Sequence, residues 1–328
     1  MLKLSSKITF NAGTDTELIY TYVNDVSIVK SWSKQTGTGK IVIPRKIESE
    51  GKDIAIGSNP VFFRGSTVKV ELGYDDNLKA VFEGFISRVK LTVPIELEVE
   101  DQMYSLKKKQ VANLSYASVD LKTLIKDINT GVTNDINQNQ ELGKVRISNN
   151  ATVAQVLDYI RKEYSIYSYF QDGKLRIGRP YYKESPTEYT FGFEDNIIED
   201  SLEYMNDKDV KIKVRAYGIR SSDNKIVEAY WPSNQAEGEQ TSIKIDNLGS
   251  ASDYEALAKR HYEAQKYTGY RGTFTTFGAP LVSHGDIVKF KSAKYPERET
   301  EKYLVKQVEL KFGVNGYRQV IEVGEVVA

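Results

Sequence analysis

The chain has 328 residues, of which 40% are hydrophobic and 27% charged, and its 45 basic and 45 acidic side chains balance. This composition is typical of a folded protein, and the balanced charge lacks the basic excess expected of a duplex-binding protein. Because cysteine is absent, disulfides, zinc–thiolate sites and thiol nucleophiles are excluded.

The N-terminus predicts a protein that is not secreted by a signal peptide. The segment MLKLSSKITFNAG lacks a basic start, an apolar core and a small-residue cleavage site. No apolar run approaches the ~20 residues of a membrane-spanning helix. We therefore expect assembly in a cytoplasm and no membrane span.

Residues 1–108 have the pattern of a β domain. Short runs rich in Val, Ile, Tyr, Phe and Thr alternate with Gly, Asn, Asp and Pro. The clearest run is IELEVE at 95–100, in which the apolar residues face one side and the acids the other. These acids are Glu96, Glu98 and Glu100. We expect a half-buried strand here.

Residues 109–187 mix helical and strand patterns. Apolar residues with helical spacing follow Ser118, which is predicted to cap the helix, and Thr152 with Gln155 predicts a capping box for a second helix. The runs IYSYF and KLRIG flank an Asp172-Gly173 turn, as in a tight hairpin. We predict a small α+β domain.

Residues 188–328 return to the β pattern and predict a second β domain. One packed helix is expected at 252–266, opened by a capping box from Ser252 to Glu255. The polar stretch 220–245 is interpreted as a long loop or an inserted hairpin. The segment FGVNGYRQVIEVG near the C-terminus lies between two alternating runs, so its glycines predict a hairpin turn and not a phosphate-binding loop, which would have to lead into a helix.

An internal repeat relates the two β regions. The pattern P-x-x-x-x-G-x-x-V-K occurs in both, and each copy continues into a long alternating strand, EGFISRVKL or KYLVKQVEL. Proline begins an extended segment, glycine allows a sharp corner, and Val-Lys starts a strand with one side chain in and one out. The corner residues are Pro60, Gly65, Val68 and Lys69 in the first copy, and Pro280, Gly285, Val288 and Lys289 in the second. We interpret the match as a duplication.

The alternating strands align after a one-residue gap. The paired positions are Phe85, Ile86, Val89 and Leu91 in the first copy, and Leu304, Val305, Val308 and Leu310 in the second. His284 takes the place of Arg64, and we expect it at the surface.

The sequence contains no recognised motif for catalysis, cofactor binding or metal binding. The segment QTGTGKI lacks the glycine and the Ser or Thr that a Walker A loop needs. Nucleophile-elbow and zinc-protease motifs are missing as well. We therefore predict no catalytic, cofactor-binding or metal-binding residues and no small-molecule substrate.

Two other interpretations stay open. The acidic stretch at 194–200 offers carboxylates for a glycan or peptidoglycan hydrolase. Alternatively, Trp231 and some of the 22 tyrosines would form the aromatic groove of a carbohydrate-binding adhesion protein.

The order of these elements resembles the phage tail and baseplate hub proteins, the late-control-D-like family. That family is similar to the hub of tail-associated proteins and to the spike base of contractile injection systems. The resemblance spans nearly the whole chain and rests on the segments VFEGFISRVKLTVPIELEVEDQMYSLKKKQV, TVAQVLDYIRKEYSIYSYFQDGKLRIG and GDIVKF…YLVKQVELKFGVNGYRQVIEVG. A lysozyme-like insertion and a C-terminal β-helical spike are both missing from the sequence.

The resemblance implies a mainly β fold with two barrels, each similar to the tail-tube barrel, separated by the small α/β domain. It implies a homotrimer whose six barrels form a pseudo-sixfold ring between the tail tube and a threefold spike or tip. Tube, baseplate and spike proteins are then the expected partners, and a virion tail or a related injection apparatus is the expected location. DNA would pass non-specifically through the lumen. The face with Glu96, Glu98 and Glu100 is either a solvated outer face or an acidic lumen lining that repels DNA.

Overall fold

Strands dominate the computed structural model, which describes residues 2–49, 52–55, 62–137, 139–148, 150–178, 185–220, 224–246, 248, 250–266, 268–296 and 302–327. The first β region contains β1 (Leu4–Phe10), β2 (Leu18–Tyr20), β3 (Asp25–Ser31), β4 (Thr38–Ile43), β5 (Lys46–Ser49), β6 (Lys52–Ala55), β7 (Thr67–Tyr74), β8 (Asn77–Lys90) and β9 (Ile95–Glu100).

The middle region alternates helices and strands. It contains α1 (Met103–Leu106), β10 (Leu114–Asp120), α2 (Leu121–Asp127), β11 (Asn134–Ile136), β12 (Glu141–Ile147), α3 (Val153–Tyr164), β13 (Tyr167–Gln171) and β14 (Lys174–Gly178).

The last region returns to strands around one long helix. It contains β15 (Glu188–Gly192), β16 (Ile197–Met205), a 3₁₀ turn (Asp207–Asp209), β17 (Ile212–Arg220), β18 (Lys225–Trp231), β19 (Glu239–Lys244), α4 (Ala251–Gln265), β20 (Gly269–Phe277), β21 (Ile287–Lys291), β22 (Lys302–Gly313) and β23 (Gly316–Val327).

One 13-stranded sheet joins the two β regions, in the order β16-β20-β23-β22-β3-β4-β9-β8-β7-β1-β2, with β21 beside β22 and β15 beside β21. The halves meet where β22 pairs antiparallel with β3, from Gln307 opposite Ser31 to Gly313 opposite Asp25. The mainly β class is thereby confirmed. The expected pair of separate closed barrels is not observed among the described strands, because β22 and β3 pair with each other across the halves and the sheet stays open.

The two halves of this sheet repeat one strand order. The first half-sheet is β3-β4-β9-β8-β7 and the second half-sheet is β16-β20-β23-β22-β21. Within each half-sheet the strands also follow one another along the chain in corresponding sequence. The same topology is therefore built twice from different residues.

Alternating side chains place the core on one face of the large sheet. In β9 the apolar residues Ile95, Leu97 and Val99 are buried, whereas the intervening glutamates are half-exposed. This alternation confirms the prediction for IELEVE. In the second half-sheet, aromatic rings pack the core, for example Phe274 against Phe290, whose centroids are 5.1 Å apart.

A second core gathers the middle region together with β17, β19 and α4. Tyr254 of α4 is buried and donates its hydroxyl to the Ile245 carbonyl at 2.6 Å, which fixes the helix against this core. The stretch 220–245, interpreted as a loop or hairpin, supplies β18 and β19 on either side of β17. The core of the middle region thus continues past residue 188 in the sequence.

Helix starts agree only in part with the sequence patterns. The capping box of α3 is confirmed, since Thr152 and Gln155 exchange hydrogen bonds. Helix α2 is capped by Asp120 and not by Ser118, because the aspartate accepts from the Thr123 amide. The capping box of α4 lies two residues earlier than predicted, from Ser250 to Asp253, and the helix begins at Ala251.

The C-terminal hairpin is confirmed. Gly313 lies opposite Gly316 at the end of β22 and β23. Gly316 has φ +92°, a value that favours glycine. None of the described helices has the length and apolar character needed to span a membrane.

Candidate assembly surface

The two predicted corner motifs adopt the same turn. Gly65 and Gly285 have φ values of +101° and +82°. The Gly65 amide donates to the Ile86 carbonyl, and the Gly285 amide donates to the Val305 carbonyl, each at 2.8 Å. Since only glycine adopts this backbone conformation at little cost, the repeated glycine is explained by the corner and not by a ligand.

The strands that follow the corners keep the same register. Val68 and Val288 point into the core, whereas Lys69 is half-exposed and Lys289 exposed. The opposed pairs are Thr67–Phe85 in the first half-sheet and Ile287–Leu304 in the second. Phe85 and Leu304, which are aligned in the sequence, therefore occupy equivalent positions in the two half-sheets.

The prolines of the two copies cannot be compared. Pro60 lies outside the described residues, whereas the Pro280 carbonyl accepts from Nε2 of Gln319 at 2.7 Å. Gln319 is fully buried, also donates to the Phe277 carbonyl at 2.9 Å, and accepts from the Val282 amide at 2.9 Å. This one amide therefore fixes the path of the chain into the second corner.

A second pair of equivalent glycines was missed by the sequence interpretation. Gly39 of β4 lies opposite Val99, and Gly272 of β20 lies opposite Val323, the corresponding residue of β23. A Cβ at Gly39 would meet the Ser27 carbonyl oxygen at 2.9 Å, and one at Gly272 would collide with that of Ser201. Both half-sheets thus need glycine at this position, because the neighbouring strand approaches too closely for a Cβ atom. An ungapped extension of the repeat alignment does not reveal this pair, because Gly39 lies 26 residues before Gly65 and Gly272 lies 13 residues before Gly285.

The prediction that His284 lies at the surface is wrong. His284 is 3% exposed, its ring lies 5.1 Å from that of Tyr169, and its carbonyl accepts from Nε2 of Gln171 at 3.1 Å. The equivalent Arg64 is exposed. The corners differ here because strand β13 of the middle region packs on the second corner.

A cavity of about 290 Å³ lies where the half-sheets meet the middle region, beside Lys30, Asp101 and His284. Burial raises the pKa of Asp101 to about 6 and lowers that of Lys30. Both Asp101 carboxylate oxygens are engaged by backbone amides, those of Gly37 at 2.7 Å and Met103 at 2.9 Å. The carboxylate therefore holds the turn before β4 and the start of α1.

The three glutamates of β9 do not form an acidic surface. Each lies beside a lysine: Glu96 by Lys40 at 2.9 Å, Glu98 by Lys90 at 2.8 Å, and Glu100 by Lys107 at 2.7 Å. Hydrogen bonds from these lysines lower the pKa values of Glu96 and Glu98. In the second half-sheet Glu322 is paired in the same way with Lys306. This face of the sheet therefore carries balanced charge.

Two carboxylates at the start of the acidic stretch at 194–200 are held by the end of β21 and the residues after it. Glu194 accepts from the Ser292 hydroxyl at 2.6 Å and from the Ala293 amide at 3.0 Å, and these bonds lower its pKa. Asp195 is paired with Lys291 at 2.9 Å. A general acid needs a raised pKa, so the geometry of Glu194 favours a structural role.

Trp231 does not lie in an open aromatic groove. It is half-buried against the second core, and the Lys259 ammonium lies 5.1 Å from its ring. Within the described ranges, no group of three or more His, Asp or Glu side chains is placed to hold a metal ion.

Comparison with solved structures places the fold among phage tail proteins. A tail protein from Neisseria meningitidis is 14% identical, with TM-score 0.69 over 98% of this chain and 96% of its own. A prophage tail protein from Shewanella oneidensis is also 14% identical, with TM-score 0.66 over 98% and 97%. A component of the type VI secretion system of E. coli is 10% identical, with TM-score 0.58 over 98% and 77%.

No protein-family model and no curated protein sequence matches the chain. The structural similarity nevertheless extends over almost the whole chain, so the resemblance to tail proteins is confirmed at the level of the fold.

Proposed function

We propose that this chain is a structural hub of a phage or prophage tail, or of a related injection apparatus. The observation that carries the proposal is the repeated half-sheet: two sets of five strands share one order, one glycine corner and one register, and they are joined edge to edge by β22 and β3. A fold shared with tail proteins along 98% of the chain supports it.

The repeat suits a symmetry adaptor. Three copies of a chain with two similar half-sheets present six similar units around one axis, which match a sixfold tube on one side and a threefold spike or tip on the other. The two half-sheets are then a duplication that acts as two tube-like units of one ring. The two units also differ at their corners, because β13 covers His284 of the second half-sheet whereas Arg64 of the first is exposed, so alternate units present different surfaces to their neighbours.

The proposed ring also forms part of the conduit. Its lumen would be lined by the polar face that contains Glu96, Glu98 and Glu100, whose charges are balanced by lysines. Such a lining has no basic excess to hold the phosphate backbone, so DNA passes without specific binding. The hub would act by assembly and not by catalysis, in the virion tail, with tube, baseplate and spike proteins as partners.

The mass of the purified protein in solution tests this proposal. Light scattering after size-exclusion chromatography should give three times the 37.1-kDa chain mass for the protein alone, or a complex that contains three copies of the chain after mixing with the tube or spike protein of the same particle. A stable monomer in both preparations would contradict it.

A further inference from the structure

We propose that β16 of one subunit adds to the edge of β8 in the next subunit, in the register that β22 and β3 adopt within one chain. This inference rests on the proposed ring and names the strands that close it. The internal contact between the half-sheets then serves as the template for the contact between subunits.

The first reason is that β8 and β22 are equivalent strands with different surroundings. Ile86 and Val305 each accept the hydrogen bond from the corner glycine, which fixes the alignment of the two strands. At residues 307–313, β22 pairs with β23 on one side and with β3 on the other. At residues 88–90, β8 pairs with β9 alone among the described strands. The edge that β3 covers in the second half-sheet is thus not covered by any described strand in the first.

The second reason is that β16 is the counterpart of β3 and ends the sheet. Ile28 of β3 lies opposite Gly39, and Leu202 of β16 lies opposite the equivalent Gly272. In the strand order, β3 continues to β22, whereas β16 is a terminal strand with β20 as its neighbour. Among the described strands, the end of β8 and the outer edge of β16 are therefore uncovered, and they correspond to the two edges that pair at the internal junction.

The internal register predicts the register between subunits. Leu310 lies opposite Ile28 in the β22–β3 pair. Applying the two alignments gives antiparallel pairs between the neighbouring β16 and the end of β8, extended by Leu91. The pairs are Val89 with Tyr204, Lys90 with Glu203, and Leu91 with Leu202.

Side-chain exposure and charge agree with this register. At the internal junction Leu310 and Ile28 are 3% and 0% exposed, whereas Leu91 is 63% exposed and Tyr204 is 53% exposed. Burying such apolar residues against each other stabilises an interface. Glu203 would join Glu98 beside Lys90 and add a contact of opposite charges across the strands, which is favourable as well.

The two edges are different surfaces, so the contact is head-to-tail and propagates around an axis. Each chain contributes one internal junction, between β22 and β3, and one junction to its neighbour, between β8 and β16. In a ring of three chains, these two kinds of junction alternate between the six half-sheets. The interface would also cover an exposed strand edge, which soluble proteins otherwise protect against uncontrolled pairing.

Cysteine cross-linking tests the register directly, because the chain has no native cysteine. Directly opposed residues have Cβ atoms about 4.5–5.5 Å apart and alternate between two hydrogen-bonding environments. Two double variants, Leu91→Cys with Leu202→Cys and Lys90→Cys with Glu203→Cys, sample both environments. The control, Leu91→Cys with Ile198→Cys, shifts the second cysteine by four residues, or about 13 Å along the same strand.

Mild oxidation of the full-length protein, alone or mixed with the tube or spike protein of the same particle, should convert at least one in-register variant into covalent species of up to three chains. The control variant should yield several-fold less. Trimers by light scattering without cross-linking in either in-register variant would overturn the inference while leaving the proposed hub intact. Equal cross-linking of the control would overturn the register. Monomers throughout would overturn both the inference and the hub.

Discussion

At the scale of single residues, the glycine corner was predictable and its surroundings were not. Gly65 and Gly285 stand out in the sequence because a positive φ leaves glycine as the favoured residue. Gln319 gave no such signal, since its hydrogen bonds go to backbone carbonyls and an amide whose positions depend on the folded corner. His284 was misjudged because the strand that covers it lies far away in the sequence.

Replacing either corner glycine by alanine should destabilise the protein by about 1–3 kcal/mol, the cost of holding an L-residue in a strained backbone conformation. Gly65→Ala and Gly285→Ala should show similar losses in urea unfolding, because the two turns are equivalent. Val314→Ala, at the exposed tip of the C-terminal hairpin, is the control and should leave the transition unchanged. No loss in either glycine variant would contradict the common corner.

Burial should make stability depend on pH through Glu325, whose pKa is raised from 4.5 to about 7. The folded state keeps the proton of Glu325 to a higher pH than the unfolded state does. The contribution of Glu325 to the free energy of unfolding is therefore most favourable below about pH 4.5 and is lost as the pH rises toward 7. Glu325→Gln removes this titration. The free energy of unfolding should therefore fall less between about pH 5 and about pH 8 in the variant than in the parent. An identical fall in both proteins would argue against the raised pKa.

At the scale of elements, alternation and capping patterns predicted the existence of strands and helices better than their ends. The strand IELEVE and the capping box of α3 follow from local chemistry, and both are present. The cap of α2 depends on where β10 ends, so Asp120 competes with Ser118 and the sequence alone did not decide between them. The packing of α4 against the middle region is a tertiary contact that no local pattern contains.

The link between β20, β23 and the second corner should depend on the Gln319 amide. Gln319→Met keeps the size of the side chain but leaves buried carbonyl and amide groups of Phe277, Pro280 and Val282 without this partner. The expected loss is about 3 kcal/mol or more in urea unfolding, since three groups lose this partner and each unsatisfied buried group costs about 1–3 kcal/mol. Gln307→Met, on the half-exposed part of β22, is the matched control and should cost under about 1 kcal/mol. Equal losses in both variants would refute the special role of Gln319.

At the scale of the whole molecule, the repeat predicted from four corner residues extends to strand order and register. The sequence did not reveal that the halves form one continuous sheet, because the pairing of β22 with β3 joins residues almost a whole chain length apart. The sequence also did not reveal that the glutamates of β9 are paired with lysines from β4, from β8 and from the residue that follows α1. Both features arise only when distant strands come together.

The balanced charge of this face should keep the protein from binding duplex DNA. At physiological salt we expect a Kd weaker than about 100 μM in fluorescence anisotropy with a short duplex, beyond the usual range of non-specific binders. Replacing Glu96, Glu98 and Glu100 together by lysine should create measurable, salt-sensitive binding. Micromolar binding by the unmodified protein would contradict a non-adhesive lining.

In the proposed hub, three chains form a ring of six similar half-sheets. Averaged electron-microscopy images of the purified oligomer, or of its complex with the tube protein, measure this arrangement directly. We expect a particle with threefold symmetry, six similar lobes and an open centre. A particle with two subunits, or three subunits whose half-sheets do not alternate around one axis, would contradict it.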